Sequence, residues 1–587
     1  MLELETTVRR VLKHAPAIPA LPEAAGDRHL TAAAERIVRA AAAWQADSGR
    51  IIDPYVHQET NTVTARYLGA LGLLLRQGRC LDLIPSATAA LTPALEDLFE
   101  RRTEWGEFIV KEALMAYEVL RDRVPADLCG YWTHLLADYD PEQTYGRTFS
   151  RTPDDLQNYC TFAIAGEALK ARLGLADNQA FIDRYVEQQL TLFDDQGMYY
   201  DPHGPMVYDL TPRMNLSIAL WAGCRGRHHE RLDEMLRRGA LAQLLYQSVN
   251  GEVPYGGRSN QQNFIEATFM VICEFEARRW AGLGDTAIAG AFRRASRRAA
   301  TAIADYLAET PVFFTKNRFP PETQHGRQKG YGFYGAYSLL IASQLGFAQL
   351  LADDTIPEGP CPAECGGYAW TTGERFHKVF AACQGTHVEI DTRADLTYDA
   401  TGWGRLHFHE CPAELALSAP IPASPPYLTA VPPASAPAAI GPGWDGLWLA
   451  GLSADDGLET TCRILEQTPA RVALAVDYRS PAGGVSELLS LGRDQVDLEV
   501  VQTDGRPLAY RVPLLRSNGR DEAVITTTAN GFAVCFMGYT YSVTCTTPGI
   551  RVSLLETAVP NRNGIYRLGV ITADASRLTL RFALQRP

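Results

Sequence analysis

The sequence contains no apolar run long enough to cross a membrane. Its longest, such as Leu68 to Leu75, falls well short of the roughly 20 residues that a spanning helix needs. It also lacks an apolar segment near its start, where MLELETTVRRVLKHAPAIPALPEA carries charge through the first ten residues, unlike a secretory signal. The expectation is a cytoplasmic protein with no membrane partner, or a periplasmic or secreted one if a signal was trimmed. An excess of positive charge is missing too: 55 Lys and Arg stand against 68 Asp and Glu, a net −13. Tracking phosphates without sequence preference requires a basic surface, so nucleic acid is excluded as a partner, and an acidic ligand would need a locally basic cleft. Paired cysteine motifs are scarce. Of twelve Cys, only Cys361 and Cys365 form a close C-x₃-C pair, and no second pair of matching spacing follows to complete a zinc site. The thiols read as reduced, and Cys160, Cys224 and Cys273, inside helical patterns, read as small buried hydrophobes.

What remains is ordinary globular material, 46% hydrophobic and 21% charged over 587 residues, enough for at least two domains. From about residue 28 to 352 one theme recurs: amphipathic segments of about 15 to 22 residues, broken by Gly, Pro or Asp. About twelve are countable, among them Ala32 to Trp44, Thr64 to Leu75, Asp154 to Leu173, Met214 to Gly223, Asn263 to Trp280, Ala287 to Leu307 and Gly335 to Leu351. Small residues crowd their facing sides, as in AAAERIVRAAAAW. Twelve helices without a strict sequence period suit six hairpins closed into an (α/α) toroid better than an open solenoid, which needs capping repeats.

Composition changes near Asp353, where DDTIPEGPCPAECGGY reads as a linker over 353–366. Beyond it, β-branched and aromatic runs between turns (HVEIDTRADLTYD, GRLHFHE, LWLAGL, TCRILEQ, RVALAVDYRS and others) predict an antiparallel β-sandwich domain over 367–587, after a toroid over 1–352. The Pro/Ala stretch from Ser418 to Gly443 reads as a long loop on that domain.

Four loops of the helical half carry more polar and aromatic side chains than a connection needs. In the first, 53–61, His57 is a candidate base and Asn61 a carboxylate-binding amide, against the plainer reading of a helix cap. The second, 194–209, offers Tyr199, Tyr200 and Tyr208 for stacking on sugars and Asp201 and Asp209 as acceptors or acid and base. The third, Gly251 to Glu266, holds Tyr255, two adjacent glycines, the forked donor Arg258, and the amides of Asn260, Gln261 and Asn263. The fourth, Phe319 to Tyr337, gathers His325, Arg327, Lys329, Tyr331 and Tyr334 into the basic patch an acidic substrate requires. Its tyrosines could transfer protons, or only pack on the next helix. In the β half, His407 and His409 alternate along a strand and could hold a metal together with His377 or Asp399, though packing explains them equally well, and no cofactor is expected.

The loops VPYGGRSNQQNFIEA, GMYYDPHGPMVYDLTPR and HGRQKGYGFYGAY, on this layout, resemble those of heparinase II/III-like polysaccharide lyases, and most of all the lyases that cut rhamnose–glucuronate linkages of arabinogalactan side chains. The resemblance implies an acidic oligo- or polysaccharide substrate. It also implies Arg258, Asn260 and Asn263 on the uronate carboxylate, Tyr331 or Tyr334 as acid or base, and His57 or His325 as alternative bases. The N-N-H-type helix motif common in heparinase-like enzymes is absent, which leaves the base unassigned. Two competing readings stand beside it. One is an unsaturated-glucuronyl hydrolase using two carboxylates among Asp201, Asp209, Glu252 and Glu266. The other is a non-catalytic carbohydrate-binding protein.

Overall fold

The computed structural model describes residues 3–15, 18–60, 62–146, 158–201, 206–309 and 314–587. Among these the helical half contains α1 (Glu3–Leu12), α2 (Asp27–Ala42), α3 (Val63–Arg76), α4 (Ile84–Phe99), α5 (Gly106–Leu120), α6 (Ala126–Ala137), α7 (Tyr159–Arg172), α8 (Gln179–Gln189), α9 (Val207–Trp221), α10 (His229–Tyr246), α11 (Phe264–Gly282), α12 (Thr286–Glu309) and α13 (Tyr334–Leu351). Short helical turns at 141–144 and 362–365 add to them.

The odd-numbered helices from α3 to α13 form a closed ring, each packed on the next and α13 packed back on α3. The even-numbered helices α2 to α12 lie outside it, with α2 against α3 and α13, α8 against α7, α10 between α9 and α11, and α12 against α11. Sequence decides which helix goes where. In α3 (VTARYLGALGLLLR) thirteen residues in succession are buried, as an element covered on all sides requires. In α2 only Leu30, Ala33, Ala34, Ile37, Val38 and Ala41 are buried, a single stripe at helical spacing. Helix α1 packs outside the ring against α10 and the turn at 362–365.

Seventeen strands follow in three antiparallel sheets. An eight-stranded sheet, in the order β12 (Val524–Thr528), β13 (Gly531–Phe536), β14 (Tyr539–Cys545), β17 (Arg577–Gln585), β10 (Gln495–Gln502), β9 (Gly483–Gly492), β8 (Val472–Ser480) and β7 (Glu459–Gln467), and a five-stranded sheet, in the order β15 (Arg551–Pro560), β16 (Ile565–Ala573), β11 (Leu508–Ser517), β5 (Gly441–Trp444) and β6 (Leu447–Trp448), share one core, which includes Leu474, Leu498, Phe582, Val512 and Tyr566. The third sheet, β1 (Tyr368–Thr371), β2 (Lys378–Cys383), β3 (Thr386–Asp391) and β4 (Gly402–Phe408), is a layer between that sandwich and the helices. Its strands are buried on both faces, and alternation sorts them: Val379, Ala381, Val388 and Ile390 join the sandwich core, whereas Phe380 and Ala382 join the helical core. Strands buried on both faces lose the polar/apolar alternation by which strands are found.

Two expectations change in detail. The segment Met214 to Gly223 covers only the second half of α9, which begins at Val207 and holds Pro212 in its interior. Tyr208 and Asp209, expected in a loop, therefore sit in its first turn. LWLAGL supplies only the two-residue β6 (Leu447–Trp448), while β1, β2, β5 (Gly441–Trp444) and the Pro-containing β11 (Leu508–Ser517) were not anticipated.

Close approach within the ring depends on missing side chains. A Cβ on Gly72 would stand 2.6 Å from the backbone of Met115 and Ala116 on α5, whereas one on Gly130, on exposed α6, meets nothing within 4 Å. Gly72→Ala is expected to cost about 1–3 kcal/mol as overpacking, and Gly130→Ala to gain up to about 1 kcal/mol from helix propensity. Denaturant unfolding of the two variants checks both signs.

Candidate active site

The inner ring encloses a cavity of about 110 Å³, and all six of its helices contribute wall. Arg66 comes from α3, Phe108 and Glu112 from α5, Tyr159 and Phe162 from α7, Tyr208, Thr211 and Met214 from α9, Phe264 and Thr268 from α11, and Tyr337, Leu340 and Gln344 from α13. Connecting segments add Thr62, Trp105, Asn158, Arg258 and Tyr331. A ring of helices leaves its axis to side chains, so inward-facing positions on six separate helices converge.

Two cations line this space, Arg66 on α3 and Arg258 on the loop before α11, and Arg258 stands beside the phenols. Its guanidinium lies 4.1 Å from the centre of the Tyr208 ring and 3.6 Å from the Asp201 carboxylate, itself held by the Asn158 side-chain amide at 2.6 Å. A separation of 3.6 Å exceeds the roughly 2.7–2.9 Å of a direct charge-assisted bond, so Asp201 balances the charge without occupying the guanidinium's donor fork. Burial opposes the charge most, yet Tyr208, Asp201 and Tyr331 together hold the Arg258 pKa above its ordinary value. The hydroxyl of Ser259 joins two phenols, 3.2 Å from Tyr208 Oη and 3.0 Å from Tyr331 Oη. Burial, with Tyr208 and Tyr337 nearby, pushes Tyr331 well above the ordinary tyrosine pKa, against the opposing pull of Ser259 and Arg258, so its phenol stays protonated.

The backbone that presents Arg258 is unusual. Ser259 and Gln261 take φ of +64° and +59°, and Gly257 +72°. Asp399 accepts the Gly257 N–H at 2.9 Å, and the Asn260 side chain donates back to the Gly257 carbonyl at 2.7 Å. Gly256 and Gly257 both take positive φ, +140° and +72°, a path other residues rarely adopt.

Of the residues singled out in the sequence, Arg258, Tyr331 and Tyr208 meet at the cavity, with Asp201 behind Arg258. The others have different surroundings. Asn61 lies outside the described residues. His57 is exposed in a turn at φ +56°, away from the cavity wall. His325 is spent on structure: Nε2 donates to the Asn561 carbonyl at 2.8 Å, Nδ1 accepts from the Ala430 N–H at 3.0 Å, and the ring stacks on Phe319 at 3.9 Å. With both nitrogens occupied it has no lone pair for a ligand's proton. Tyr334 packs between Tyr55 and Phe314, and its neighbour in sequence Tyr337 faces the cavity instead. Tyr255 lies between the domains, its ring 3.3 Å from Lys378 Nζ. Tyr200 contacts Phe376 and Arg375 at the edge of the four-stranded sheet, and Arg327 covers the Phe333 ring. Asn260 and Gln261 are buried and bonded to the loop itself and to Arg562 and Asn563, while Asn263 stands at the start of α11.

The carboxylates named for a hydrolase are also engaged. Asp209 accepts from Arg213, Gln243 and the Tyr199 N–H, and Lys316 lies between Glu252 and Glu266. His407 is held between the hydroxyls of Ser248 and Ser418, so its nitrogens serve the fold, and no group of three or more His, Cys, Asp or Glu is arranged to hold a metal among the described residues. Cys361 and Cys365 are free thiols. Sequence reasoning missed Arg66, Tyr159, Tyr337 and Gln344. The signal was available for one of them, since an arginine within the otherwise apolar α3 calls for a purpose.

No family model matches the chain, and no curated protein matches it in sequence. Solved structures similar to it include a mutant heparan sulfate lyase from Pedobacter heparinus, 10% identical over 99% of this chain and 93% of that one with a TM-score of 0.35. A mutant unsaturated glucuronyl hydrolase from Streptococcus agalactiae is 10% identical over 59% of this chain and 95% of that one, TM-score 0.40. A cellobiose 2-epimerase from Bacillus thermoamylovorans is 12% identical over 55% and 100%, TM-score 0.36. Likeness at this level assigns neither a substrate nor a reaction.

The position of His325 has a consequence for stability. Burial lowers its pKa to about 4, so the unfolded chain, near 6.5, takes up a proton that the folded one refuses. Its contribution is complete above pH 6.5 and falls as pH drops towards 4. The stability advantage of the native protein over His325→Gln should therefore shrink by about 1.4 kcal/mol per pH unit below 6.5. Denaturant unfolding at pH 7.0 and pH 5.5 measures the difference.

Proposed function

We propose that the protein is a lyase that cleaves a glycosidic bond next to a uronic acid by β-elimination, with its reaction centre at the Arg258 end of the ring cavity. The observation that carries the reading is the Tyr208–Ser259–Tyr331 hydroxyl chain lying against a buried arginine whose donor fork is not taken up by its counter-ion.

A uronate C5 hydrogen is too weakly acidic for a side chain to remove unless the charge that develops on the carboxylate is stabilised by donors already in place. Arg258 has the fork geometry for a carboxylate and sits in a space where water does not screen it. The two phenols divide the proton transfers. Tyr208, its ring stacked against the guanidinium, acts as the base and takes the C5 proton. The C5 electron pair forms the C4–C5 double bond as the C4–O4 bond breaks. Tyr331, kept neutral by burial, donates its proton to the departing oxygen. Ser259 touches both hydroxyls, so the proton gained by Tyr208 returns through it to Tyr331 and the site is reset. The two proton transfers to and from the sugar use phenols on the cavity wall, the return runs through the buried Ser259 behind them, and no second carboxylate is needed. The aromatic wall of Phe108, Tyr159 and Phe162 supplies stacking surface for a sugar ring. Rhamnose–glucuronate linkages of arabinogalactan side chains are the first substrate to try, given the loop resemblance.

Incubation with a panel of uronate glycans, gum arabic included, should raise the ultraviolet absorbance of a conjugated C4–C5 double bond. Arg258→Ala should reduce the rate about 100-fold or more, as loss of an aimed charge-stabilising donor does elsewhere. Tyr331→Phe should lower kcat with little change in KM. New reducing ends without absorbance would overturn the lyase reading in favour of hydrolysis.

A further inference from the structure

The turn between β15 (Arg551–Pro560) and β16 (Ile565–Ala573) leaves the sandwich and enters the rim of the helical ring. Its tip, Asn561-Arg562-Asn563, is buried, and Arg562 is only 1% exposed. A buried guanidinium is ordinarily paired with a carboxylate. None pairs with Arg562 among the described residues. Its three nitrogens go instead to neutral acceptors on two different loops: Nη1 to the Asn260 carbonyl at 2.7 Å, Nη2 to Gln328 Oε1 at 2.6 Å, and Nε to the Gly326 carbonyl at 3.1 Å. The Tyr427 ring covers its face at 4.5 Å.

These acceptors are not arbitrary. Asn260 follows Arg258 and Ser259 in the loop with left-handed backbone, and Gly326 and Gln328 precede Tyr331. Arg562 thus bonds to both segments that bring catalytic groups to the cavity. It also fixes the Gln328 amide: with Oε1 taken, the amide nitrogen faces Tyr398 Oη, 3.5 Å away, on the loop between β3 and β4. Beside it, Asn563 donates to Gln261 Oε1 at 2.9 Å and to the Lys316 carbonyl at 3.0 Å.

We propose that Arg562 is a positioning residue for the elimination, a single buried cation from the β domain that sets the Arg258–Ser259 loop and the Tyr331 loop in register and adds positive potential behind the phenols. This rests on the elimination reading above. It means that the helical ring alone lacks a complete site. It also explains a charge that stability does not call for, since a polar residue could satisfy carbonyls, whereas an unpaired cation faces a site where negative charge develops.

The test compares the full-length native protein with Arg562→Met and Arg562→Lys, the latter keeping the charge but offering one nitrogen in place of three. Amide hydrogen exchange is followed at residues 257–263 and 326–331, and elimination kinetics on whichever glycan the native protein cleaves. Arg562→Met should exchange about tenfold faster in both segments while core helices keep their protection. Its kcat should fall about 100-fold with little change in KM, as expected of misplaced catalytic groups. Arg562→Lys should recover part of kcat. Native exchange in both segments together with native kcat in Arg562→Met overturns the proposal. If that variant does not fold, Arg562→Lys decides, native kcat with native exchange again overturning it. If the native protein eliminates nothing from any uronate glycan, the reaction assignment falls, while the exchange data still report whether Arg562 holds the two loops.

Discussion

Charge buried between the helical ring and the four-stranded sheet is the constraint on which the rest depends. The face of that sheet turned to the helices carries Lys378, Glu389, Asp391 and Arg405, and the loop from 251 to 266 meets it with Glu252 and Glu266. Arg405 lies 3.4 Å from both Glu252 and Glu389, Lys378 lies 3.4 Å from Glu389 and 3.2 Å from Asp391, and Lys316 bridges Glu252 and Glu266. With Asp399 these are five carboxylates against three cations, all buried. Such a network is a poor source of stability compared with an apolar core, but removing one member leaves an uncompensated charge at a cost of about 3–5 kcal/mol. It therefore fixes the relation of the two domains more firmly than it stabilises either. Burial raises Glu266 and Glu389 against the pull of their cations and carries Asp399 up to about 7.

That network governs the site because the loop it anchors is the one that carries Arg258. Asp399 accepts from Gly257, and the Tyr255 N–H reaches Glu389 at 3.3 Å, so the residues on the N-terminal side of Arg258 are tied to the sheet. Asn260 and Gln261, on its C-terminal side, are tied to the β15–β16 turn. Between these ties the backbone passes through left-handed conformations at Ser259 and Gln261, each costing on the order of 1–3 kcal/mol for a residue other than glycine. Strain of that size persists only where the surroundings over-determine it. Here the return is the placement of the Ser259 hydroxyl between two phenols and of Arg258 above one of them.

The legibility of these features in the sequence followed how far apart their parts lie. Outer helices were readable because burial at helical spacing is a local property, as in α2, and helices of the ring because long apolar stretches such as α3 leave few alternatives. The first half of α9 was less legible, since it holds Pro212, a residue that usually marks a helix end. Strands β1 and β2 escaped because burial on both faces erases alternation. At the site, Arg258, Tyr208 and Tyr331 were found from composition, but composition alone could not separate Tyr331 from Tyr334 or Arg258 from Arg327. Those pairs lie three residues apart, or in loops of similar chemistry, and only the direction of each side chain distinguishes cavity from packing. Arg562 and Tyr398 were beyond reach. Each matters through contacts made across the domain boundary, and PNRNG in the sequence is simply a turn.

A site built on phenols and arginines rather than on paired carboxylates follows from the same electrostatics. A ring cavity walled by Phe108, Phe162, Met214, Phe264 and Leu340 has a low effective dielectric, where an unpaired carboxylate would pick up a proton and a second one close by would raise its pKa further. Glu112, the one carboxylate on that wall among the described residues, is held by Ser343 at 2.6 Å and by Lys111 at 3.3 Å, and so is not left to react. Phenols suffer little from such surroundings, being neutral at rest, and become useful acids and bases only where a cation makes the anionic form accessible. Arg258 lies 4.1 Å from the centre of the Tyr208 ring, and Arg562 stands behind the loop that carries it. The acidic protein as a whole thus keeps its positive potential where a negatively charged sugar would have to enter.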